Sequence, residues 1–193
     1  MPSLSLQRWF SGRAVALADI ESAHRAVRGS GIGARAATQQ INQAYVVLLV
    51  AQFQGFCRDL HSECAEFLVL PVTDPDLREM LRDSLIFGRK IDRGNPNPGN
   101  LGADFNRYGL AFWPVVNAQR PQNAARRVAL EEINDWRNAI AHQDFTASML
   151  KAGRPSLTLA QVQAWRKACD GLARSFDAVL GAHLQTLRSA IPW

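Results

Sequence analysis

The longest regular pattern in the sequence runs over residues 36–69, where apolar side chains return every three or four positions. That spacing lines them up along one side of an α-helix. The stripe consists of Ile41, Tyr45, Leu48, Leu49, Phe53, Phe56, Leu60, Cys64 and Phe67. A helix of this length with one long apolar side has to be covered by other elements. The pattern therefore predicts an all-α helical bundle.

Four further segments have the same periodicity, and two of them carry helix-start signals. Asp74 before Pro75 is typical of a capped helix start, and Thr158 with Gln161 forms a capping-box pair. The predicted helices cover about 12–28, 75–89, 122–141 and 158–189. No internal repeat interrupts this order, so we expect one helical domain over 1–193.

Glycine and proline mark the expected breaks. The first helix should end in the glycines of "RGSGIG", residues 28–33. The segment 92–100 combines two prolines with two glycines and predicts an exposed connector, while 101–109 predicts a short helix. "FWP" at 112–114 is expected to open another irregular passage, and 143–156 to form a loop.

The charge of the chain favours a phosphate-bearing partner. The net charge is +5, and 19 of the 22 basic residues are arginine. Arginine binds a phosphate through two parallel N–H hydrogen bonds, whereas lysine acts as a point charge. The codon composition of a GC-rich genome would explain the same bias, so composition alone does not decide between the two explanations.

Cysteine spacing and hydropathy indicate a cytoplasmic protein without a membrane span. Cys57, Cys64 and Cys169 fall within apolar helical stripes and are expected to be buried thiols in a reducing compartment. Their spacing, and that of the acidic residues, suggests no metal site and no cofactor. No segment approaches the roughly 20 apolar residues of a membrane span.

The segment "NDWRNAIAHQDF", residues 134–145, contains the strongest candidate for a catalytic site. It places Arg137, Asn138 and His142 at the end of an amphipathic helix. A histidine can transfer a proton near neutral pH, and an arginine can bind a phosphate and stabilise developing charge. The structural alternative is an ion pair of Arg137 with Glu131 or another surface acid, and a histidine at the helix C-terminus that is favoured by the helix dipole.

"RNAIAH" resembles the signature of the HEPN superfamily, in which an arginine, often followed by a polar residue, precedes a histidine by four to six positions. The upstream helix "INQAYVVLLVAQFQGFCRDLHSECAEFL" is similar to the long helix of HEPN-type bacterial proteins, and the resemblance covers about 36–190. The resemblance implies a HEPN-like bundle of four to five main helices with short additional ones, in which 1–30 is an N-terminal helix. It also implies a homodimer.

The resemblance further implies a metal-independent endoribonuclease in which the RNA 2′-hydroxyl is the nucleophile. Arg137 and His142 would be catalytic and Asn138 would be their polar neighbour, with two copies of the motif meeting at the dimer cleft. Such proteins are often toxins or antiviral effectors, so an antitoxin or another protein partner is expected by resemblance. The alternative is a HEPN-like dimer that binds RNA or protein without cutting. A purely structural protein is the third reading, favoured if Arg137 is held in an intrachain ion pair.

Helix geometry adds a condition to this hypothesis. Five residues of ideal helix turn through about 500°, so Arg137 and His142 should lie about 140° apart, while Asn138 and His142 share a side. Either the last helical turn unwinds near Ala141, or a second subunit brings the two groups together.

Secondary candidates are weaker. Arg126 and Arg127 could extend an RNA-binding track, although a solvated basic side of the helix explains them better. Trp136 and Trp165 could stack on bases, but both lie on apolar stripes and are better explained by packing. His183 is expected to be a core histidine, and His24 and His61 are expected on helix surfaces.

Overall fold

The computed structural model describes residues 1–27 and 32–193 and confirms an all-helical fold. Within these ranges the α-helices are α1 (Leu4–Arg8), α2 (Ala14–Ala26), α3 (Ile32–Val69), α4 (Pro75–Ile86), α5 (Lys90–Arg93), α6 (Pro98–Phe105), α7 (Phe112–Gln119), α8 (Gln122–His142) and α9 (Leu159–Arg188). A π-helical turn, Trp9–Arg13, joins α1 to α2. A two-stranded hairpin, β1 (Leu150–Lys151) and β2 (Arg154–Pro155), interrupts the connection from α8 to α9.

The long helix α3 is the centre of the bundle. It packs against α1, α2, α4, α8 and α9, while α8 and α9 also pack against each other. Its predicted apolar stripe is largely buried, with Leu49, Phe53, Phe56 and Leu60 fully inaccessible to solvent. Phe176 of α9 completes an aromatic core with these rings. Burial of this stripe is the main reason why the other helices gather around α3.

The N-terminal helical region starts earlier than the sequence pattern predicts. Helix α1 begins at Leu4, because the Ser3 hydroxyl accepts a hydrogen bond from the Leu6 N–H at 3.0 Å. The π turn then shifts the helical register, which hides the apolar period from a search for steps of three or four. The predicted end of this helix at 28–31 lies outside the described residues.

Two passages predicted to be irregular are partly helical, so these predictions were wrong. In 92–100, Pro98 opens α6, and the Asn97 side chain caps it by accepting from the Asn100 N–H at 2.8 Å. Helix α7 similarly accommodates Pro114 in its first turn. Proline is compatible with a first turn because the N–H that it lacks has no partner there.

The remaining main helices lie close to their predicted positions. Asp74 caps α4 by accepting from the Leu77 N–H at 2.8 Å, and Thr158 caps α9 by accepting from the Gln161 N–H at 3.2 Å. Helix α4 ends three residues before the predicted Arg89, at Ile86. In the described part of the chain, no helix is both long and apolar enough to cross a membrane.

Candidate functional site

Helix α8 carries the Arg-Asn-His motif and stays regular through His142. Gln143 then adopts the left-handed conformation, with φ of 56°. The Asp144 N–H donates to the Ala139 carbonyl at 3.0 Å, which closes the helix in the manner of a Schellman motif. The last turn therefore does not unwind near Ala141, so a distorted helix end does not bring Arg137 and His142 of one chain together.

The side chains of Arg137 and His142 face different surroundings, as the helix geometry predicts. His142 is exposed and lines a shallow hollow of about 570 Å³ beside the loop after α8. Asn138, one turn earlier, lines the same hollow, but Arg137 does not. One chain thus brings His142 and Asn138 together and leaves Arg137 on another side of the helix.

Asn138 links Arg137 to the connector before α6. Its side-chain oxygen accepts from Asn95 Nδ2 at 2.5 Å and from the Arg137 guanidinium at 3.3 Å. Asn134, one turn earlier, donates to the Pro96 carbonyl at 3.4 Å. The connector therefore fixes the orientation of Asn138, and Asn138 in turn restrains the half-buried Arg137.

The charges around the motif are mixed. Arg137 forms no ion pair with any carboxylate of the described residues, including Glu131. The condition set for a purely structural role of Arg137 is therefore not met in this part of the chain. Asp135 and Asp144 line the hollow beside His142, and both are exposed. A phosphate approaching His142 would meet these two carboxylates unless a cation from elsewhere offsets them.

Arg126 and Arg127 are both engaged within the fold. The half-buried Arg126 guanidinium donates to Asn123 Oδ1 at 2.9 Å and lies against Gly171 of α9. The Arg127 guanidinium lies over the Trp113 ring, 5.1 Å from its centre. Their RNA-binding role stays a prediction, and it would require both side chains to exchange these contacts for phosphate.

The aromatic candidates on α8 and α9 are part of the core. Trp165 is buried, its indole N–H donates to Glu132 at 3.1 Å, and its ring centre lies 6.4 Å from that of Trp136. Trp136 is half-buried and packs against the core. The packing explanation of these two residues is the one that the structure supports.

The surface positions predicted for His24 and His61 are wrong, because both side chains are buried. His61 lies on the side of α3 covered by α6 and the turn after it, where Tyr108 contacts its Nδ1 at 2.8 Å and the Asp104 carbonyl contacts its Nε2 at 3.2 Å. Burial, reinforced by the nearby Arg89 guanidinium, lowers the pKa of His61 to about 3. His183 is partly buried with its Nε2 at 2.8 Å from the Tyr108 carbonyl. Both rings serve structural hydrogen bonds.

A second hollow beside the motif is not predicted by any sequence pattern. It has a volume of about 560 Å³ and lies between the beginning of α3 and the β hairpin, with Gln143 on its wall. The sequence does contain a signal, since Gln39, Gln40 and Gln43 recur at helical spacing, but glutamine on a helix is ordinarily solvated. The opposite wall of the hollow comes from Gln143, Phe145 and the β hairpin, which the spacing of the glutamines does not indicate.

The described residues contain no group of three or more His, Cys, Asp or Glu side chains arranged to hold a metal ion. Cys57, Cys64 and Cys169 are buried free thiols, as predicted, and burial raises their pKa values. Comparison with family models, with curated proteins and with solved structures finds no match to this chain.

Proposed function

We propose that the chain forms a HEPN-like homodimer that cleaves RNA without a metal ion, with Arg137 and His142 as the catalytic residues. The observation that carries the proposal is the pairing of an exposed histidine with an arginine that has no carboxylate partner in the described residues, five positions apart at one helix end. Both groups are thus free of a competing ion pair and available to a phosphate.

The reaction suits these residue types. His142 would take the proton from the RNA 2′-hydroxyl as its oxygen attacks the adjacent phosphorus, and the P–O5′ bond would break. The leaving 5′-oxygen would take its proton from water, so that each site needs one histidine and one arginine. Arg137 would hold the phosphate and stabilise its extra negative charge in the transition state. Because RNA supplies its own nucleophile, no metal-bound water is required.

A second subunit is needed to complete this site. On a regular α8, Arg137 and His142 of one chain lie about 140° apart and only His142 lines the hollow. An arginine from the partner would also offset the two carboxylates near His142. The proposal therefore places each arginine opposite the histidine of the other subunit.

A non-catalytic, partner-binding HEPN-like dimer is the second candidate. Asp135 and Asp144 favour it, because two carboxylates next to His142 suit a basic protein surface better than a phosphate. An antitoxin or another protein in a defence system would be such a partner. The two candidates differ in whether RNA is cut.

The first experiment measures cleavage of mixed-sequence RNA in EDTA by the wild type, Arg137→Ala and His142→Ala. Loss of either group should slow cleavage at least about 100-fold, as expected for a general acid–base or charge-stabilising residue. Arg120→Ala removes an exposed arginine just before α8 and is the control for net charge. Equal rates in all four proteins would show that Arg137 and His142 are not catalytic. No cleavage by the wild type would favour the non-catalytic, partner-binding dimer.

Mixing the two inactive variants tests whether the site is shared between subunits. If arginine and histidine act across the interface, an Arg137→Ala/His142→Ala heterodimer keeps one intact site. After subunit exchange an equal mixture should regain about a quarter of wild-type activity. No recovery in a mixture that has exchanged subunits would place both groups of a site in one chain.

A further inference from the structure

The hollow between α3 and the β hairpin differs in charge from the one that holds His142. Its wall includes the side chains of Arg35, Gln39, Gln43, Gln143, Phe145 and Arg154. Of the residues that the structure describes, two arginines face it and no carboxylate lines it. Neither Arg35 nor Arg154 forms an ion pair within residues 1–27 and 32–193. The hollow is therefore suited to an anionic ligand.

Gln43 gives the hollow a specific polar group. Its side chain is only 8% exposed and lines the hollow, yet among the described residues its amide has no hydrogen-bond partner. The amide atoms of Gln43 are accessible to solvent although most of the residue is buried, so a ligand in the hollow can reach them. The Gln43 amide offers one donor side and one acceptor side to whatever enters.

The chemistry of the wall matches a nucleotide. A glutamine amide pairs with the edge of adenine, which presents a neighbouring donor and acceptor at N6 and N7. Phe145 is half-buried and lines the same hollow, so it offers an aromatic surface against which a base can stack. The exposed Arg35 and Arg154 can bind the phosphates on either side of that base. The volume of about 560 Å³ is ample for one nucleotide.

The hollow also lies next to the proposed cleavage site. Gln143 forms part of its wall, and the preceding residue, His142, lines the other hollow. Consecutive Cα atoms are about 3.8 Å apart, so one strand of RNA could occupy both hollows.

We propose that this hollow is a base-recognition subsite for single-stranded RNA, in which Gln43 selects adenine and Arg35 and Arg154 bind the flanking phosphates. The inference rests on the proposed function for the identity of the ligand as RNA. It goes further in assigning substrate preference to residues outside the Arg-Asn-His motif.

Binding is measured with fluorescein-labelled RNA pentamers of A, C and U by fluorescence anisotropy, in the full-length His142→Ala background so that RNA is not consumed. Gln43→Leu should weaken binding of the adenine pentamer about tenfold and change the other two by less than about twofold. Gln185→Leu makes the same replacement at an exposed position near the end of α9, outside the hollow, and should change nothing.

Arg35→Ala and Arg154→Ala should weaken all three pentamers alike and lower the slope of log affinity against log salt by about one unit each. Both side chains are exposed, so these variants keep the test valid if Gln43→Leu does not fold. Equal binding of the three pentamers by the parent protein would overturn adenine selection. Unchanged affinity in both arginine variants would overturn the subsite itself.

Cleavage is followed separately in the wild-type background, which distinguishes the two proposals. Adenine-selective binding that depends on Gln43 in a protein that cuts no RNA would support the subsite and refute the ribonuclease. RNA cleavage whose base preference is the same with Gln43→Leu would leave the ribonuclease standing and refute the subsite.

Discussion

His61 and His142 show how the environment separates two residues of the same type. His61 is fully buried, with a hydrogen-bond partner at each ring nitrogen and the Arg89 guanidinium nearby. His142 is exposed at a helix end beside two carboxylates. Only His142 is accessible to a substrate, whereas His61 connects α3 to the segment around α6.

The buried His61 should make the protein less stable in mild acid. Its pKa is lowered from 6.5 to about 3, so the unfolded chain binds a proton at this ring below pH 6.5 and the folded protein does not. The free energy of unfolding should therefore fall on acidification below pH 6.5, with a slope of up to about 1.4 kcal/mol per pH unit from this residue. Urea denaturation at about pH 7 and about pH 5.5 measures the slope.

His61→Gln retains hydrogen-bonding capacity without titrating, so its slope between these two pH values should be smaller by that amount. The ring protons of His61 should also keep their chemical shifts over the same interval. A His61 resonance that titrates near pH 6 would contradict the expectation.

At the scale of single helices, α4 and α9 share a cap type but differ in burial. Asp74 and Thr158 each accept a backbone N–H at their helix start. Helix α4 contains no buried residue, whereas α9 contributes Trp165, Phe176 and other core side chains. Helix α4 can therefore open locally, while α9 can open only with the whole fold.

The two caps should consequently affect different measurements. Thr158→Ala should lower the free energy of global unfolding by about 1 kcal/mol. Asp74→Ala should speed hydrogen exchange within α4 by about five- to tenfold and leave the midpoint of global unfolding nearly unchanged. Denaturant titration and amide exchange by mass spectrometry, applied to both variants, check the pair. A large loss of global stability in Asp74→Ala would mean that α4 unfolds only with the core.

At the scale of the whole molecule, the N-terminal segment belongs to the bundle core. Trp9 is 1% exposed, packs on Phe53 and Phe56 with ring centres 5.6 and 5.8 Å apart, and donates its indole N–H to Asp170 at 2.9 Å. Burial in the apolar surroundings of α9 raises the pKa of that carboxyl. The first helical turns thus join α3 to α9.

Neighbouring aromatic residues allow a matched test of this arrangement. Trp9→Ala should cost about 3–5 kcal/mol of unfolding free energy, because it opens a large cavity in the core. Phe10 is 37% exposed and contacts the Arg174 guanidinium, so Phe10→Ala should cost about 1 kcal/mol or less. Chemical denaturation of both variants gives the comparison. Similar losses would show that the N-terminal segment is only peripheral.

The sequence by itself determined the helical class, the long central helix and the helix that carries Arg137, Asn138 and His142. These follow from local rules, since apolar steps of three or four and capping residues act within one segment. The same rules gave the 140° separation of Arg137 and His142. They failed at the π turn, Trp9–Arg13, because it shifts the helical register and so breaks the apolar period. They also failed at α6 and α7, because proline in a first turn resembles a helix break in the sequence.

The tertiary structure decided which polar side chains are enclosed. His61 was expected on a surface and is buried, because the segment around α6 covers that side of α3. Arg126 and Arg127 form contacts with Asn123 and Trp113. Gln43 lines a basic hollow only because the distant hairpin packs nearby. Such contacts join residues that are far apart in the chain. Periodicity predicts the side of a helix on which a residue lies, but it does not predict which other element covers that side.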